Sequence, residues 1–340
     1  MRLDLVLEPD RPNRFESLGR LAEELNFGCV WTANHVAAPD PFMAFMPLAN
    51  TSSKILMGPV AVSPFEIHPV KIANQLLTLN EQSKGRARVV IGGGGAIIAM
   101  GLKPGRRAMM PRMVRAVRET IDIVRGAARD KPLSYDGDLY AINGYSADWA
   151  KAEPPLVYAA ATKPQMMKMA GQSADGAMFS DATLPRIKEC VDALHTSLKE
   201  SQRATDNFPI SNLYTWHVKA DRRDALAEAR AKLFVRGMLE PWYLEPFLPP
   251  DECNFVDEHL VAFAKAYANN TPDIEGVPDP LIEQLVDNLT FCGDFSDVDK
   301  FTGQLIQFKE AGVTEFAIRL YSEPEESMRL IAERVMPELT

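Results

Sequence analysis

Short apolar runs alternate with longer amphipathic stretches along almost the whole chain. The pattern is clearest between Ile55 and Gly95. The run Ile55-Leu56-Met57-Gly58-Pro59-Val60-Ala61-Val62 stops at Ser63-Pro64, and the segment from Pro69 to Gln82 sets Ile72, Leu76, Leu77 and Leu79 on one side. A second run, Ala87-Arg88-Val89-Val90-Ile91, then ends in Gly92 to Gly95. Strand, helix, strand, with Pro and Gly at the strand exits, is a βαβ unit. Both strands leave into backbone suited to small residues, which is how a fold brings main chain close to a flat ligand.

The same rhythm predicts strands at Arg2 to Leu7, Cys29 to Thr32, Leu156 to Ala161, Gly176 to Ser180, Ile210 to Val218 and Glu315 to Leu320. Helices are expected from about Asn13 to Asn26, Arg106 to Arg125, Gln165 to Ala174, Pro185 to Glu200, Arg222 to Met238, Val298 to Ala311 and Glu325 to Val335. Lys131 to Glu153, with Asp136-Gly137 and Asn143-Gly144, reads as a hairpin excursion. From Glu240 to Thr290 the rhythm breaks into prolines, aromatics and acidic patches. This stretch reads as an insertion of short helices, covering one barrel mouth or forming an oligomer contact, and not as a separate domain.

Eight strands alternating with helices predict a single (β/α)8 TIM barrel over residues 1–340, with the insertion between strands seven and eight. A doubly wound dinucleotide fold is the competitor. Its Gly-x-Gly-x-x-Gly fingerprint fails here, because Ile97 stands where the third glycine belongs and the glycines fall in the fourth βα unit.

Composition narrows the partners. A net charge of -9 argues against nucleic acid or an anionic membrane surface, both of which call for a basic face. No apolar run reaches the roughly 18–20 residues that span a bilayer. The four cysteines, Cys29, Cys190, Cys253 and Cys292, are scattered without a Cys-x-x-Cys pair, which points to free thiols in a reducing cytoplasm and away from a zinc site.

A barrel binds its ligand at the carboxyl ends of its strands. The candidates are therefore Asn34 and His35, Val60 to Pro64, Gly92 to Gly95, Ala160 to Lys163, Ser180-Asp181, His217 and Arg319. They contain no Ser-His-Asp order, His-Glu-x-x-His or P-loop. Close backbone approach, amides, hydroxyls and imidazoles suit an organic cofactor better than a metal or a nucleophile. His35 reads as functional from its strand exit, and His68 as structural at a helix start. His217 stands between pocket and core. Lys163 is either a ligand contact or a solvated loop cation.

The chain resembles the bacterial luciferase-like family, whose barrels bind FMN or the deazaflavin coenzyme F420. The residues carrying the resemblance are Trp31-Thr32-Ala33-Asn34-His35, the stretch Gly58 to Pro69, Leu77 to Arg86, Ile91 to Gly95, Ala170 to Gly176 and Gly312-Val313-Thr314. The nearest branch is similar to the deazaflavin-dependent methylene-tetrahydromethanopterin reductases and related dehydrogenases. The resemblance implies an oxidoreductase that moves a hydride between F420, with FMN as the alternative, and a small organic substrate. It implies catalytic roles for Asn34 and His35 beside the ring, and a non-prolyl cis peptide at Val60–Ala61 backing it. It further implies cofactor contacts from Ser63, Gly94 and Gly95, and a phosphate site at Ala161, Thr162 and Lys163. A homodimer follows from the same likeness, and a partner flavin reductase if FMN is the cofactor.

Two positions depart from the family's pattern. Asn34 replaces the usual acid, and Ala96-Ile97 replaces a Gly followed by Glu or Asp, so the residue commonly assigned as proton donor is missing. With FMN the expected activity becomes that of a two-component monooxygenase using reduced flavin and dioxygen. A flavin-binding carrier or sensor without catalysis is the reading from another class.

Overall fold

The computed structural model describes residues 1–9, 11–35, 38–94, 106–129 and 131–339. Gly95, Ala96 and Ile97 lie outside the described residues. Eleven strands occur among them: β1 (Arg2–Leu7), β2 (Cys29–Ala33), β3 (Leu56–Val60), β4 (Arg88–Ile91), β5 (Leu133–Asp136), β6 (Ala141–Tyr145), β7 (Leu156–Ala160), β8 (Gly176–Ser180), β9 (Ile210–Lys219), β10 (Thr290–Asp294) and β11 (Glu315–Arg319). Eight of them form a parallel ladder in the order β3-β2-β1-β11-β9-β8-β7-β4. Bridges Met57↔Ala87 and Val62↔Ile91 join its two ends. The bonds Val62 N–H to Val90 O and Gly92 N–H to Val62 O, each 2.9 Å, complete that seam. The predicted TIM barrel is therefore the observed fold. Gly58 is required at the seam, since a Cβ there would lie 1.9 Å from the Arg88 carbonyl oxygen.

Period-two alternation sorts each strand into two faces. Leu3, Leu5, Val30, Met57, Val89, Val157, Phe179, Trp216 and Phe316 face the surrounding helices, in the largest apolar cluster. Val6, Cys29, Trp31, Val60, Val90, Tyr158, Met178, Leu213 and Ala317 fill the barrel interior. At the amino end that interior is sealed by charge. Arg2 donates to Asp4 Oδ1 at 2.7 Å and reaches Glu315 at 2.8 Å, while Trp31 Nε1 donates to Asp4 at 3.1 Å. The Tyr158 hydroxyl donates to Glu315. With this end plugged by paired groups, the open end is the carboxyl mouth.

The predicted hairpin forms from β5 and β6, paired antiparallel. Its turn is held from outside by the buried Glu119 of the helix Arg106–Ala127. That carboxylate accepts the backbone N–H groups of Asp138, Leu139 and Tyr140 at 3.0–3.1 Å. Charge-assisted bonds to three otherwise unpaired donors make this a costly residue to lose. Glu119→Ala is expected to destabilise by about 2–3 kcal/mol in denaturant unfolding. Stability within 0.5 kcal/mol of the wild type, about the size of an ordinary surface change, would contradict that role.

Two boundaries differ from the sequence reading. The helix expected to run from Arg222 to Met238 is Arg222–Lys232, after which Gly237, Met238 and Leu239 all take positive φ and turn the chain. Helix-forming residues run on past Lys232 without a Gly or Pro until Gly237, which concealed that stop. The insertion is indeed helical, with Pro241–Leu244, Pro250–Glu258, Leu260–Asn269 and Asp279–Leu289 enclosing their own apolar cluster around Leu244, Val256, Phe263 and Leu285. It ends, however, in β10, which sequence reading missed. β10 pairs with the far half of β9, Thr290↔Thr215 through Asp294↔Lys219, on the edge opposite β11. Its short run Thr290-Phe291-Cys292 carries too few apolar residues to register as a strand.

Candidate active site

The strand exits meet at the carboxyl mouth. Asn34 follows β2 and its N–H binds the Val60 carbonyl at 3.2 Å, fastening it to the end of β3. The Val60–Ala61 peptide is cis, the conformation the resemblance implies at that position. The Asn34 side-chain amide donates to Glu66, which sits on the turn after β3. That turn is tied by Glu66 N–H and Ile67 N–H to the Ser63 carbonyl at 3.1 and 3.0 Å. Ser63 is fully buried and its Oγ accepts Phe65 N–H at 3.2 Å, so it shapes the turn.

Opposite Gly92 the mouth is built from small residues. A Cβ on Gly92 would lie 2.9 Å from the Ala61 Cβ and 3.1 Å from the Ala160 Cβ. Three neighbouring strands thus present a low, side-chain-poor floor. Gly94 takes φ +82°, a backbone conformation that favours glycine.

The other half of the rim is polar. Arg319, the last residue of β11, is 7% exposed and pairs with Glu8, one residue beyond β1. His35 Nε2 lies 3.3 Å from Glu8 and 2.8 Å from Arg319 Nη2. Burial works against the Glu8 carboxylate, but the His35 hydrogen bond and the Arg319 charge outweigh it and hold its pKa at about 2. Arg319 in turn lies 4.9 Å from the Tyr321 ring centre. Tyr321 stacks on His217 at 5.5 Å with an interplanar angle of 4°. His217 Nδ1 is 2.8 Å from Glu228 Oε1, and burial keeps the imidazole below its usual range against the pull of that carboxylate. The neutral ring then donates through Nδ1, leaving Nε2 as a buried acceptor with no partner among the described residues. Thr215 Oγ1 and Arg319 Nε are likewise buried on this side, without a partner among the described residues.

A cavity of about 660 Å³ opens beside these groups, lined among others by Glu8, His35, Arg319, Tyr321, Lys232 and Tyr267. Tyr267 comes from the insertion, which therefore forms part of the wall. Lys232 Nζ sits 5.4 Å from both tyrosine rings and donates to Asn270 at 2.6 Å. A larger recess of about 790 Å³ lies between the hairpin side and Leu156, at the amino end of β7 and away from the strand exits.

After β7, Ala161 is buried and its N–H binds the Met178 carbonyl at 3.0 Å, while Thr162 and Lys163 are partly exposed. Lys163 pairs with Glu240 at the start of the insertion. It precedes the helix Pro164–Ser173, whose first turn has neither a capping side chain nor an acid. The free N–H groups of that turn suit an anion.

Sequence reading named Asn34, His35, Asp181, His217 and Arg319 as strand-exit residues, and they stand at this end. Glu8, Glu66, Lys232, Tyr267 and Tyr321 escaped it. Glu8 and Tyr321 lie one and two residues beyond strands, which is a usable signal. Lys232 and Tyr267 arrive from helices far along the chain and gave none. Phe42, Phe45 and Tyr243 are core: Phe45 packs on Phe15 at 5.1 Å, and Tyr243 belongs to the insertion's cluster. His68 caps the helix Pro69–Gln82, accepting Val70 N–H at 3.3 Å.

The Glu8 arrangement carries a pH signature. Its folded pKa of about 2 lies below the ordinary 4.5, so its stabilisation is complete above pH 4.5 and is lost as pH falls toward 2. In unfolding measured from pH 6 to 2, the stability gap between wild type and Glu8→Gln should close over that window. A gap independent of pH would contradict the pairing.

Comparison with known proteins places this geometry. Residues 2–315 match the luciferase-like monooxygenase family. The chain is 27% identical, over the whole of both sequences, to a 5,10-methylenetetrahydromethanopterin reductase of Archaeoglobus fulgidus. Its fold superposes on the coenzyme F420-dependent tetrahydromethanopterin reductase of Methanopyrus kandleri with a TM-score of 0.81 and 21% identity, over all of this chain and 99% of that one. An F420-dependent secondary alcohol dehydrogenase, solved with an F420-acetone adduct, gives 0.78 and 18% with the same coverage. The fold and a family match over nearly the full length agree: this chain belongs to the luciferase-like monooxygenase family.

Proposed function

We propose that this chain is a cytoplasmic oxidoreductase that transfers a hydride between coenzyme F420 and a small organic substrate. One observation carries the reading. At a single mouth, a floor of Ala61, Gly92 and Ala160 faces a polar rim of Glu8, His35 and Arg319. A flat ring needs the first, and a polar substrate held over that ring needs the second.

The residues present fit such a cofactor. A Cβ on Gly92 would meet Ala61 and Ala160, so only small residues build this floor, and the neighbouring rim holds buried polar atoms that have no partner among the described residues. Val60, Ala61 and Gly94 would back the ring, with Ser63 shaping the loop beside it. Ala161, Thr162 and Lys163 would receive the phosphate at the uncapped helix start. Gly95, named with Gly94, lies outside the described residues. The bound cofactor supplies the hydride chemistry, while the protein orients the substrate and excludes water. Asn34, bound to the end of β3, and His35, on the rim, are assigned to the substrate side. The insertion closes the mouth within the same domain, and the active form is a homodimer. FMN, with a partner flavin reductase and dioxygen, is the alternative cofactor chemistry.

The test is anaerobic hydride transfer, read as the change in F420 absorbance. Methylenetetrahydromethanopterin is the first substrate and a simple secondary alcohol the second, both taken from the named relatives. Turnover of either supports the reading. Turnover only with reduced FMN and dioxygen would replace it.

A further inference from the structure

We infer that Glu66 is the proton-transfer carboxyl of this site, exchanging a proton with the substrate's heteroatom as the hydride leaves or reaches the adjacent carbon. The inference rests on the function proposed above and assigns a step within it.

Glu8 and Glu66 both stand at the mouth, and their surroundings differ. Glu8 is clamped between Arg319 and His35 and stays ionised, a fixed anion. Glu66 has no ion pair among the described residues. One oxygen, Oε2, accepts the Asn34 amide, and Oε1 takes no side-chain bond among the described residues. It is half-buried on a turn tied back to Ser63, and it reaches Asn34, whose own N–H is on the Val60 carbonyl. The carboxyl is therefore fixed beside the small-residue floor, with one oxygen that no other side chain among the described residues occupies.

Burial raises the Glu66 pKa, with the Asn34 and Ser63 bonds only partly opposing it. The titratable groups on the elements around it are otherwise engaged. His35 is committed to Glu8 and Arg319. His68 and Tyr140 pack on each other at 5.5 Å, with the Tyr140 hydroxyl on the Pro64 carbonyl at 3.2 Å. Two carboxyls whose environments push their pKa values apart divide the labour into one permanent charge and one proton carrier.

In the oxidising direction the substrate's C–H bond breaks and its electron pair leaves with the hydride for the deazaflavin. The heteroatom's proton passes to Glu66 Oε1, which becomes a neutral carboxyl. In the reducing direction the carboxyl O–H breaks, the proton goes to the heteroatom, and the carboxylate remains.

The experiment pairs two readouts on wild type, Glu66→Gln and Glu66→Asp. Infrared difference titration of the unliganded protein should show a carboxyl that titrates above 4.5, absent from Glu66→Gln. A carboxyl titrating at or below 4.5 overturns the inference. On the substrate found active, Glu66→Gln should lower kcat by about a hundredfold or more, in line with general acid–base contributions, and erase one limb of the pH profile. F420 affinity should stay within about threefold, a small fraction of the binding free energy. Glu66→Asp should recover part of the rate. A Glu66→Gln enzyme with wild-type kcat and pH profile overturns the inference while leaving the cofactor assignment intact. Failure of wild type to bind F420 sinks the proposed function instead, and with it this step.

Discussion

Replacing Gly92 by valine will leave a folded barrel that has lost most of its affinity for F420. Even a single Cβ at this position would stand 2.9 Å from the Ala61 Cβ and 3.1 Å from the Ala160 Cβ, both attached directly to strand backbone. Neither neighbour can swing aside as the end of a long side chain can. The added isopropyl group must project from the floor on which the ring is proposed to lie. Overpacking of this kind costs about 1–3 kcal/mol of stability. The loss of binding should be larger in consequence: about a hundredfold or more, or ~2.7 kcal/mol. Gly303, in the helix Val298–Glu310, has open space around its Cβ position, so Gly303→Ala serves as the control and should bind as wild type. Wild-type affinity in Gly92→Val would remove the floor from the account.

Arg236→Met should be the most damaging single change to stability. Arg236 and Asp181 are 1% and 0% exposed, and Nη1 lies 2.6 Å from Oδ1. Asp181 leaves β8 at φ +55° and also accepts Gly237 N–H at 3.0 Å, while Arg236 Nη2 donates to the Tyr321 hydroxyl at 3.2 Å. One buried pair therefore ties together the exit of β8, the turn leading into the insertion and the aromatic face of the cavity. Removing the cation leaves a buried carboxylate without a countercharge, at a cost of about 3–5 kcal/mol. In a chain of this size that corresponds to a Tm lower by about 4–7 °C. Arg236→Met combined with Asp181→Leu should recover much of the loss, because no stranded charge remains. A single variant as stable as wild type would show that the pair does not hold the mouth.

The barrel could be read from the chain because its signals are local. Each barrel strand is a short apolar run punctuated by Gly, Pro or an Asn-His exit, and the intervening helices carry their own apolar stripe. β10 had no such run, and its partner, the far half of β9, is some 70 positions away, so only tertiary structure reveals it. The helix beginning at Arg222 was drawn too long because it ends at Lys232, where no Gly or Pro marks a stop in the sequence. Within the site, residues immediately after strands were accessible to sequence reasoning. Glu66 was not, since it sits six residues beyond β3 on a turn and gains its meaning only from Asn34. Tyr267 and Lys232 gain theirs only when the insertion packs against the rim.

The most direct measurement is a fluorescence titration of the unliganded protein with F420, with FMN titrated in parallel. The account predicts saturable F420 binding at micromolar concentration or below, about one per chain, with FMN much weaker; that affinity corresponds to roughly -8 kcal/mol. Tight binding of FMN alone, or of neither, would contradict it.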